Sequence, residues 1–244
     1  MSYAILGDIH SNLEALLAVL EDVDKNKVEK IFFVGDIVGY GADPSRCIAI
    51  SQEKFELSVM GNHDLAVLGK MNLSWFNDYA RKAIIWTQSR LSREELQYLN
   101  SLVLVEEYQD MIFVHGSLYE PEKFHYIFEV HQVHRNFDFQ GDKKICFIGH
   151  SHYPFIAISD DLEGEIKIVN GFETEIRPRC RYLVNVGSVG QPRDNDPRAS
   201  YVLYEPEKAR IEIKRVEYDI EEAVSKIISK GLPQILGERL YYGR

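Results

Sequence analysis

Cysteine is scarce in this chain of 244 residues: Cys47, Cys146 and Cys180 are an odd number without paired, metal-type spacing. A disulfide framework and a thiolate zinc site are thereby excluded. Because Cys146 lies inside the apolar run Ile145-Cys146-Phe147-Ile148, reduced buried thiols are expected. No run approaches the roughly 18 apolar residues of a membrane-spanning helix, so no membrane partner is expected. The opening residues Met1 to Leu6 carry neither a basic segment nor a long apolar stretch; a cytoplasmic chain without a secretory signal is expected. Net positive charge is missing as well. With 28 Lys and Arg against 38 Asp and Glu, the formal charge is -10, which weighs against tracking a long nucleic-acid backbone. Internal repeats, low-complexity tracts and flexible linkers are absent. A hydrophobic fraction of 45% and a charged fraction of 27% are ordinary globular values. The length suits one well-buried core, so a single domain over 1–244 is expected.

What the chain does have is five short segments in a fixed order: Asp8-Ile9-His10, Gly35-Asp36, Gly61-Asn62-His63-Asp64, Val114-His115-Gly116 and Gly149-His150-Ser151-His152. Each closes a short apolar run, and in open α/β folds ligands gather at the C-terminal ends of strands. Strands are predicted at Tyr3 to Leu6, Lys30 to Val34, Leu57 to Met60, Met111 to Val114 and Lys144 to Ile148. Ser11 to Glu14 reads as a capping box before Leu13, Leu16, Leu17 and Leu20 at helical spacing. The alternation implies βαβ units. From 72 to 102 the pattern is helical, with Ser92 to Glu95 as a second capping box, and this segment is expected to flank the site. After His152 five strands in antiparallel succession are predicted: Phe155 to Ile158, Glu165 to Val169, Arg181 to Val186, Ser200 to Tyr204 and Ala209 to Val216. They imply a second sheet. Asp219 then caps a helix with Ile220, Ala223, Val224, Ile227 and Ile228 on one face.

The residue types of the five segments belong to metal chemistry. Asp8 and His10 are two apart at a strand end, so they converge on one ion only where the backbone leaves the pleat. His150 and His152 repeat that spacing, His115 adds an imidazole, and Asn62 offers a neutral carbonyl oxygen. The carboxylate of Asp36 has two oxygens, which makes it the bridge between two cations. A mixed nitrogen and oxygen set suits Mn, Fe, Zn, Co or Ni better than Ca, and two divalent transition-metal ions, manganese first, are the expected cofactors. Two such ions lower the pKa of water towards about 7 and offset phosphoryl charge.

The order Asp-x-His, Gly-Asp, Gly-Asn-His-Asp, His-Gly, Gly-His-x-His resembles the calcineurin-like metallophosphoesterase superfamily across positions 7 to 152. The segment Asn185 to Arg193 further resembles its compact bacterial and archaeal phosphodiesterase branch. The resemblance implies an α/β fold, a four-layer αββα sandwich with two mixed β-sheets flanked by helices. It implies that Asp8, His10, Asp36 and His152 hold one metal, and Asp36, Asn62, His115 and His150 the other. It implies a metal-bridging hydroxide as nucleophile and His63 as general acid, a role suited to imidazole near neutral pH. The expected activity is a phosphodiesterase acting on small or nucleotide-type phosphoesters. In the serine/threonine phosphatase branch the Gly-Asp motif continues to a second aspartate and an arginine; here those positions are Gly39 and Tyr40. A phosphoprotein phosphatase is disfavoured accordingly, while a dinucleoside polyphosphate hydrolase stays open. The departure leaves Asp64 and Asp43 as the two candidates for orienting His63.

Plainer readings stand beside these. A scaffold that keeps the fold without catalysis is signalled by lost motif residues, and none is lost here. His125, His131 and His134 lie outside the motifs, near Phe124, Tyr126 and Phe128, where surface or packing roles are expected; a cap over the substrate or a base-stacking wall is the alternative. The loop Gly187 to Gly190 reads equally as a plain turn or a close approach to ligand. Arg193, just after it, is the candidate for a substrate phosphate, since the guanidinium fork matches phosphate geometry. Arg177, Arg179 and Arg181 read as a solvated basic face.

Overall fold

The structure, a computed structural model, describes residues 1–160 and 165–244. Among these, the strands are β1 (Tyr3–Leu6), β2 (Lys30–Phe33), β3 (Phe55–Ser58), β4 (Val105–Tyr108), β5 (Met111–Val114), β6 (Ile145–Ile148), β7 (Phe155–Asp160), β8 (Ile166–Ile168), β9 (Glu173–Glu175), β10 (Cys180–Asn185), β11 (Ala199–Glu205) and β12 (Arg210–Val216). The α-helices are α1 (Leu13–Lys25), α2 (Pro44–Lys54), α3 (Asn62–Val67), α4 (Asp78–Gln88), α5 (Arg93–Ser101), α6 (Val130–Phe139), α7 (Ile220–Ser229) and α8 (Gln234–Glu238). None of the described helices is long and apolar enough to cross a membrane.

Two six-stranded mixed sheets form, ordered β3-β2-β1-β11-β12-β9 and β4-β5-β6-β10-β7-β8. They face each other through one apolar layer in which Tyr3, Ile5, Phe32 and Val34 of the first meet Phe113, Phe147, Tyr182 and Val184 of the second. The alternate residues face outward. Ala4, Leu6, Ile31 and Phe33 pack on Leu16, Val19, Ile48 and Ile84 of the helices on one side. Ile112, Val114, Cys146 and Ile148 pack on Val133 and Phe137 of α6 on the other. Because both faces of these strands are buried, their sequences are continuous apolar runs rather than alternating ones. The result is the expected αββα sandwich.

The two sheets are not divided along the chain as anticipated. The strands after His152 do not make a sheet of their own: β7, β8 and β10 extend the sheet of β4, β5 and β6, whereas β9, β11 and β12 extend that of β1, β2 and β3. Their pairings with one another are antiparallel as expected, while β10 also runs parallel to the earlier β6. Lesser differences follow local chemistry. The first helix is capped by Asn12, whose side chain accepts from the Ala15 N–H, rather than by Ser11. The predicted box at Ser92 and Glu95 and the Asp219 cap are both present.

This topology sets the site. In each sheet three neighbouring strands run parallel, β1, β2 and β3 in one and β5, β6 and β10 in the other. Their carboxyl ends deliver the five motifs to one edge of the sandwich, as open α/β sheets do.

Candidate metal centre

At that edge the chain abandons extended geometry. Asp8, His10, Asp36, His150 and His152 all have positive φ, between 49° and 66°, a left-handed conformation that costs a non-glycine residue roughly 1–3 kcal/mol. Backbone bonds across the strands hold it: Asp8 N–H donates to Gly35 O at 2.9 Å and His10 N–H to Asp36 O at 3.0 Å. The Gly187 to Gly190 loop supports it from below. Ser188 Oγ donates to Asp8 O at 2.8 Å and Gly190 N–H to the same oxygen at 2.9 Å. These bonds tie that loop to the Asp8 turn.

The turned backbone gathers three groups of donor atoms: Asp8, His10 and His152; His10, Asp36 and His63; and Asp36, His115 and His150. All are buried. His10 Nδ1–H donates to Val38 O at 3.1 Å, His115 Nδ1–H to Val34 O at 2.8 Å, and His152 Nδ1–H to Gln191 O. A carbonyl only accepts, so these bonds fix the tautomer and leave each neutral ring with its Nε2 lone pair turned inward. His10 Nε2 and His152 Nε2 consequently face one another at 3.1 Å. Asp8 Oδ1 stands 3.2 Å from His152 Nε2 and has no hydrogen-bond partner. Burial holds His10 well below the ordinary histidine range and lowers His152, so protons do not relieve this convergence of lone pairs. A cation does. The donor set is nitrogen and oxygen throughout, the chemistry of a divalent transition metal.

Asp36 differs in detail from expectation. Its Oδ1 accepts the His63 N–H at 2.8 Å, and one oxygen alone, Oδ2, faces the cluster, 3.6 Å from His10 Nε2 and 3.3 Å from His115 Nε2. It therefore sits between the two groups by one atom. Burial alone would raise its pKa, but His115 and His63 hold it well below the ordinary carboxylate range. Burial likewise disfavours a charged His115, yet Asp36 and Asp8 outweigh it and raise that ring to about 9. Asn62 Oδ1 lies 3.2 Å from His115 Nε2.

Neither candidate for orienting His63 does so. Asp64 accepts three backbone N–H groups, from Asp36 at 2.9 Å, Gly61 at 3.0 Å and Val38 at 3.2 Å, and so staples the two loops that carry Asp36 and Asn62. Burial and the Asp36 charge raise it to about 7. Asp43 pairs with Lys230 at 2.8 Å and Lys226 at 3.1 Å. Among the described residues His63 Nδ1 has no hydrogen-bond partner. Its ring is held by rings instead: Tyr40 at 4.5 Å, His10 at 4.8 Å and Phe76 at 5.1 Å between centroids. Gly39 lies beneath, so close that a Cβ there would stand 2.4 Å from Nδ1. Burial lowers His63 to about 4.

Outward of the cluster opens a cleft of about 260 Å³ lined by residues that include Asn62, His63, His150, Tyr40 and Arg193. Arg193 donates to Gln191 Oε1 at 3.0 Å and Tyr40 Oη at 3.3 Å. Sequence reasoning expected the 72–102 segment beside the site but did not single out its Trp75, Phe76 and Asn77, and it missed Lys123 and Arg239 on the same walls. They stand in no motif and arrive from three separate stretches of chain. Of the aromatic stretch it flagged, Phe124 and Tyr126 line the cleft, Tyr126 stacked on His150 at 4.0 Å. His125 pairs with Glu120 and His131 with Glu129, each at 3.1 Å and outside the donor groups. The three cysteines are free and buried, as expected.

Comparison with known proteins agrees with this geometry. Residues 1–209 match the calcineurin-like phosphoesterase superfamily domain. An uncharacterised protein of Methanocaldococcus jannaschii is 44% identical over 99% of this chain and 98% of its own. The crystal structure of a metallophosphoesterase from Sphaerobacter thermophilus superposes with a TM-score of 0.88 at 40% identity, covering 100% of this chain and 99% of that one. A hypothetical protein from Pyrococcus horikoshii shares the fold at TM-score 0.79 and 19% identity, covering 100% and 98%. A family match over most of the length, joined to donor groups at the sheet edge, makes this chain a member of the calcineurin-like phosphoesterase superfamily, a family of metal-dependent phosphoester hydrolases.

Proposed function

We propose that the protein is a phosphodiesterase for small or nucleotide-type phosphoesters, working with two divalent transition-metal ions, manganese first. One observation carries the reading: the carbonyl-locked imidazoles of His10 and His152 turn unprotonated Nε2 atoms towards each other and towards an unpartnered Asp8 oxygen. Asp8, His10 and His152 would hold one ion, His115, His150 and Asn62 the other, and Asp36 would serve both. When bound, the ions lower the pKa of water and offset charge on the phosphoryl oxygens.

The chain's own residues supply the rest. His63 is neutral while buried and empty of ligand, but an anionic phosphoester in the cleft favours its protonated form, and proton donation to the leaving oxygen then falls to it. Tyr40 and Phe76 keep the ring aimed. Arg193, bonded only to the neutral oxygens of Tyr40 and Gln191, retains donors for a substrate oxygen. Phosphoprotein substrates fit poorly, because Tyr40 occupies the place of the arginine used by that branch.

The test is hydrolysis of a bis-aryl phosphodiester and the matching monoester by chelator-stripped protein, before and after manganese is added. Diester turnover that returns with metal and exceeds monoester turnover supports the proposal. Protein that holds two metals by elemental analysis yet cleaves neither ester refutes it.

A further inference from the structure

Arg193 has company that the family match does not cover. Arg239, thirty residues beyond the matched segment 1–209, lines the same cleft. The turn that carries it is fastened to the loop that follows Arg193. Asn195 N–H donates to Gly243 O at 2.9 Å, and Arg244 Nε donates to Asn195 Oδ1 at 3.2 Å. Leu236 and Leu240, on either side, are buried in a cluster with Tyr40, Ala80 and Ile227. The loop itself is braced by the ion pair of Asp194 with the buried Arg215. Arg239 is therefore placed, not dangling.

Neither guanidinium is paired with an Asp or Glu side chain among the described residues. Arg193 bonds to neutral oxygens and keeps a buried Nε without a partner among the described residues, whereas Arg239 spends its Nε–H on an oxygen of Arg244, the last of the 244 residues, and keeps its two terminal nitrogens for the cleft. Lys123, on the same cleft, contrasts with them, because its charge is spent on Glu120. In a chain of net charge -10, two arginines on one cleft with no Asp or Glu side chain paired to either are the exception. Burial first and the nearby Arg193 charge second lower Arg239 from its ordinary range, which places the two like charges near one another. Trp75 and Tyr126 meanwhile expose ring surface on the cleft walls.

The geometry points to a two-phosphate clamp: Arg239 and Arg193 together bind a second phosphate carried by the substrate beyond the scissile one, so the preferred substrates are nucleotide esters bearing an additional phosphate. This rests on the cleft being the phosphoester site proposed above. One phosphate engages the donor cluster, and the other takes the guanidinium forks, with the aromatic walls left for the base.

The experiment is calorimetric binding of thymidine 5′-monophosphate, 5′-diphosphate and 3′,5′-bisphosphate to metal-loaded protein freed of excess metal. It is run on the wild type, Arg239→Gln and Arg239→Lys, with melting temperatures recorded for each. At least one of the doubly phosphorylated nucleotides is expected to bind about tenfold tighter than the monophosphate, the size of one charge-assisted contact. Arg239→Gln brings that ratio close to one, and Arg239→Lys keeps most of it. Equal affinity for all three nucleotides in the wild type, or an undiminished ratio in a folded Arg239→Gln, overturns the clamp. Bis-aryl diester turnover on the same preparation separates the two claims. Turnover without the binding ratio overturns the clamp alone, whereas the ratio without turnover overturns the hydrolase reading and leaves the clamp supported.

Discussion

Gly39 offers a way to disturb His63 without touching a metal donor. It sits at φ +101°, and a Cβ built there would stand 2.4 Å from His63 Nδ1, 3.0 Å from Cγ and 3.2 Å from Cβ. Ordinary contact begins near about 3.5 Å, so in Gly39→Ala the ring must retreat by about 1 Å, and a displacement of that size costs about a hundredfold in rate. Alanine at this φ also strains the backbone by roughly 1–3 kcal/mol, which for a chain of this size lowers the melting temperature by about 2–4 °C per kcal/mol. The companion variant is Gly61→Ala. Its Cβ would stand 2.0 Å from Asp36 Oδ1 and 2.3 Å from Asp36 N, so it displaces the shared carboxylate. Elemental analysis and steady-state hydrolysis of a bis-aryl diester should then separate the pair: Gly39→Ala keeps its metal and loses turnover about a hundredfold, while Gly61→Ala loses metal. A folded Gly39→Ala that retains metal and turns over within threefold of the wild type would refute the claim that ring packing positions His63.

Three further outcomes follow from the site. His63→Asn should lower kcat on the diester by roughly 10²- to 10⁴-fold, the usual worth of a proton donor, with metal content intact by elemental analysis. In metal-free protein His115 is raised to about 9, so its proton stabilises the fold fully below the ordinary histidine pKa and that gain is lost as pH rises through 9. Metal must expel the same proton, so apparent affinity should weaken about tenfold per pH unit below 9; calorimetry in buffers of different ionisation enthalpy should count one released proton fewer in His115→Asn. Asp64→Asn keeps one acceptor for three backbone N–H groups, and each N–H left unpaired costs roughly 1–3 kcal/mol. Its thermal melt should drop accordingly, and an unchanged melt would contradict the staple.

The centre of the molecule was legible because its strands are short and buried on both faces, so that β1, β2, β5 and β6 show as uninterrupted apolar runs closing on a motif. Edge strands lack that signature. Val105–Tyr108 pairs with β5 alone and carries Glu106 and Glu107, and Glu173–Glu175 is three polar residues against β12, so neither stands out from a loop. The partition of the later strands between sheets was hidden for another reason: a run such as Arg181 to Asn185 has no local mark of which neighbour it pairs with. The donors were legible one by one, as residue types at fixed spacing. Their neighbours were not. Phe76, Gly39 and Tyr40 meet around His63 from separate positions, and Arg239 reaches the cleft from a terminal turn with no motif at all.

The spacing of the motifs does carry one piece of geometry that the structure spells out. In an extended strand, residues two apart share a face but stand about 6.6 Å apart along it, too far to meet at one small cation. Left-handed residues fold the chain within that interval. At Asp8 and His10 the fold brings Asp8 Oδ1 to 3.7 Å from His10 Nε2. At His150 and His152 it does the opposite, sending one imidazole to the group with Asp36 and the other to the group with Asp8. Glycine would adopt these angles without strain, but it has no donor atom to offer. The chain therefore accepts strain at five donor residues, roughly 1–3 kcal/mol each, within a net stability of only about 5–15 kcal/mol. That is tolerable because Asp64, Ser188 and the crossed backbone bonds hold the turns from outside the donor set. Asp8 and Asp36 share in that support, since Asp8 Oδ2 accepts the His150 N–H and Asp36 Oδ1 the His63 N–H. Asp64 and Ser188, by contrast, support without offering a donor, so a substitution at either of these can loosen the centre with every donor side chain still present.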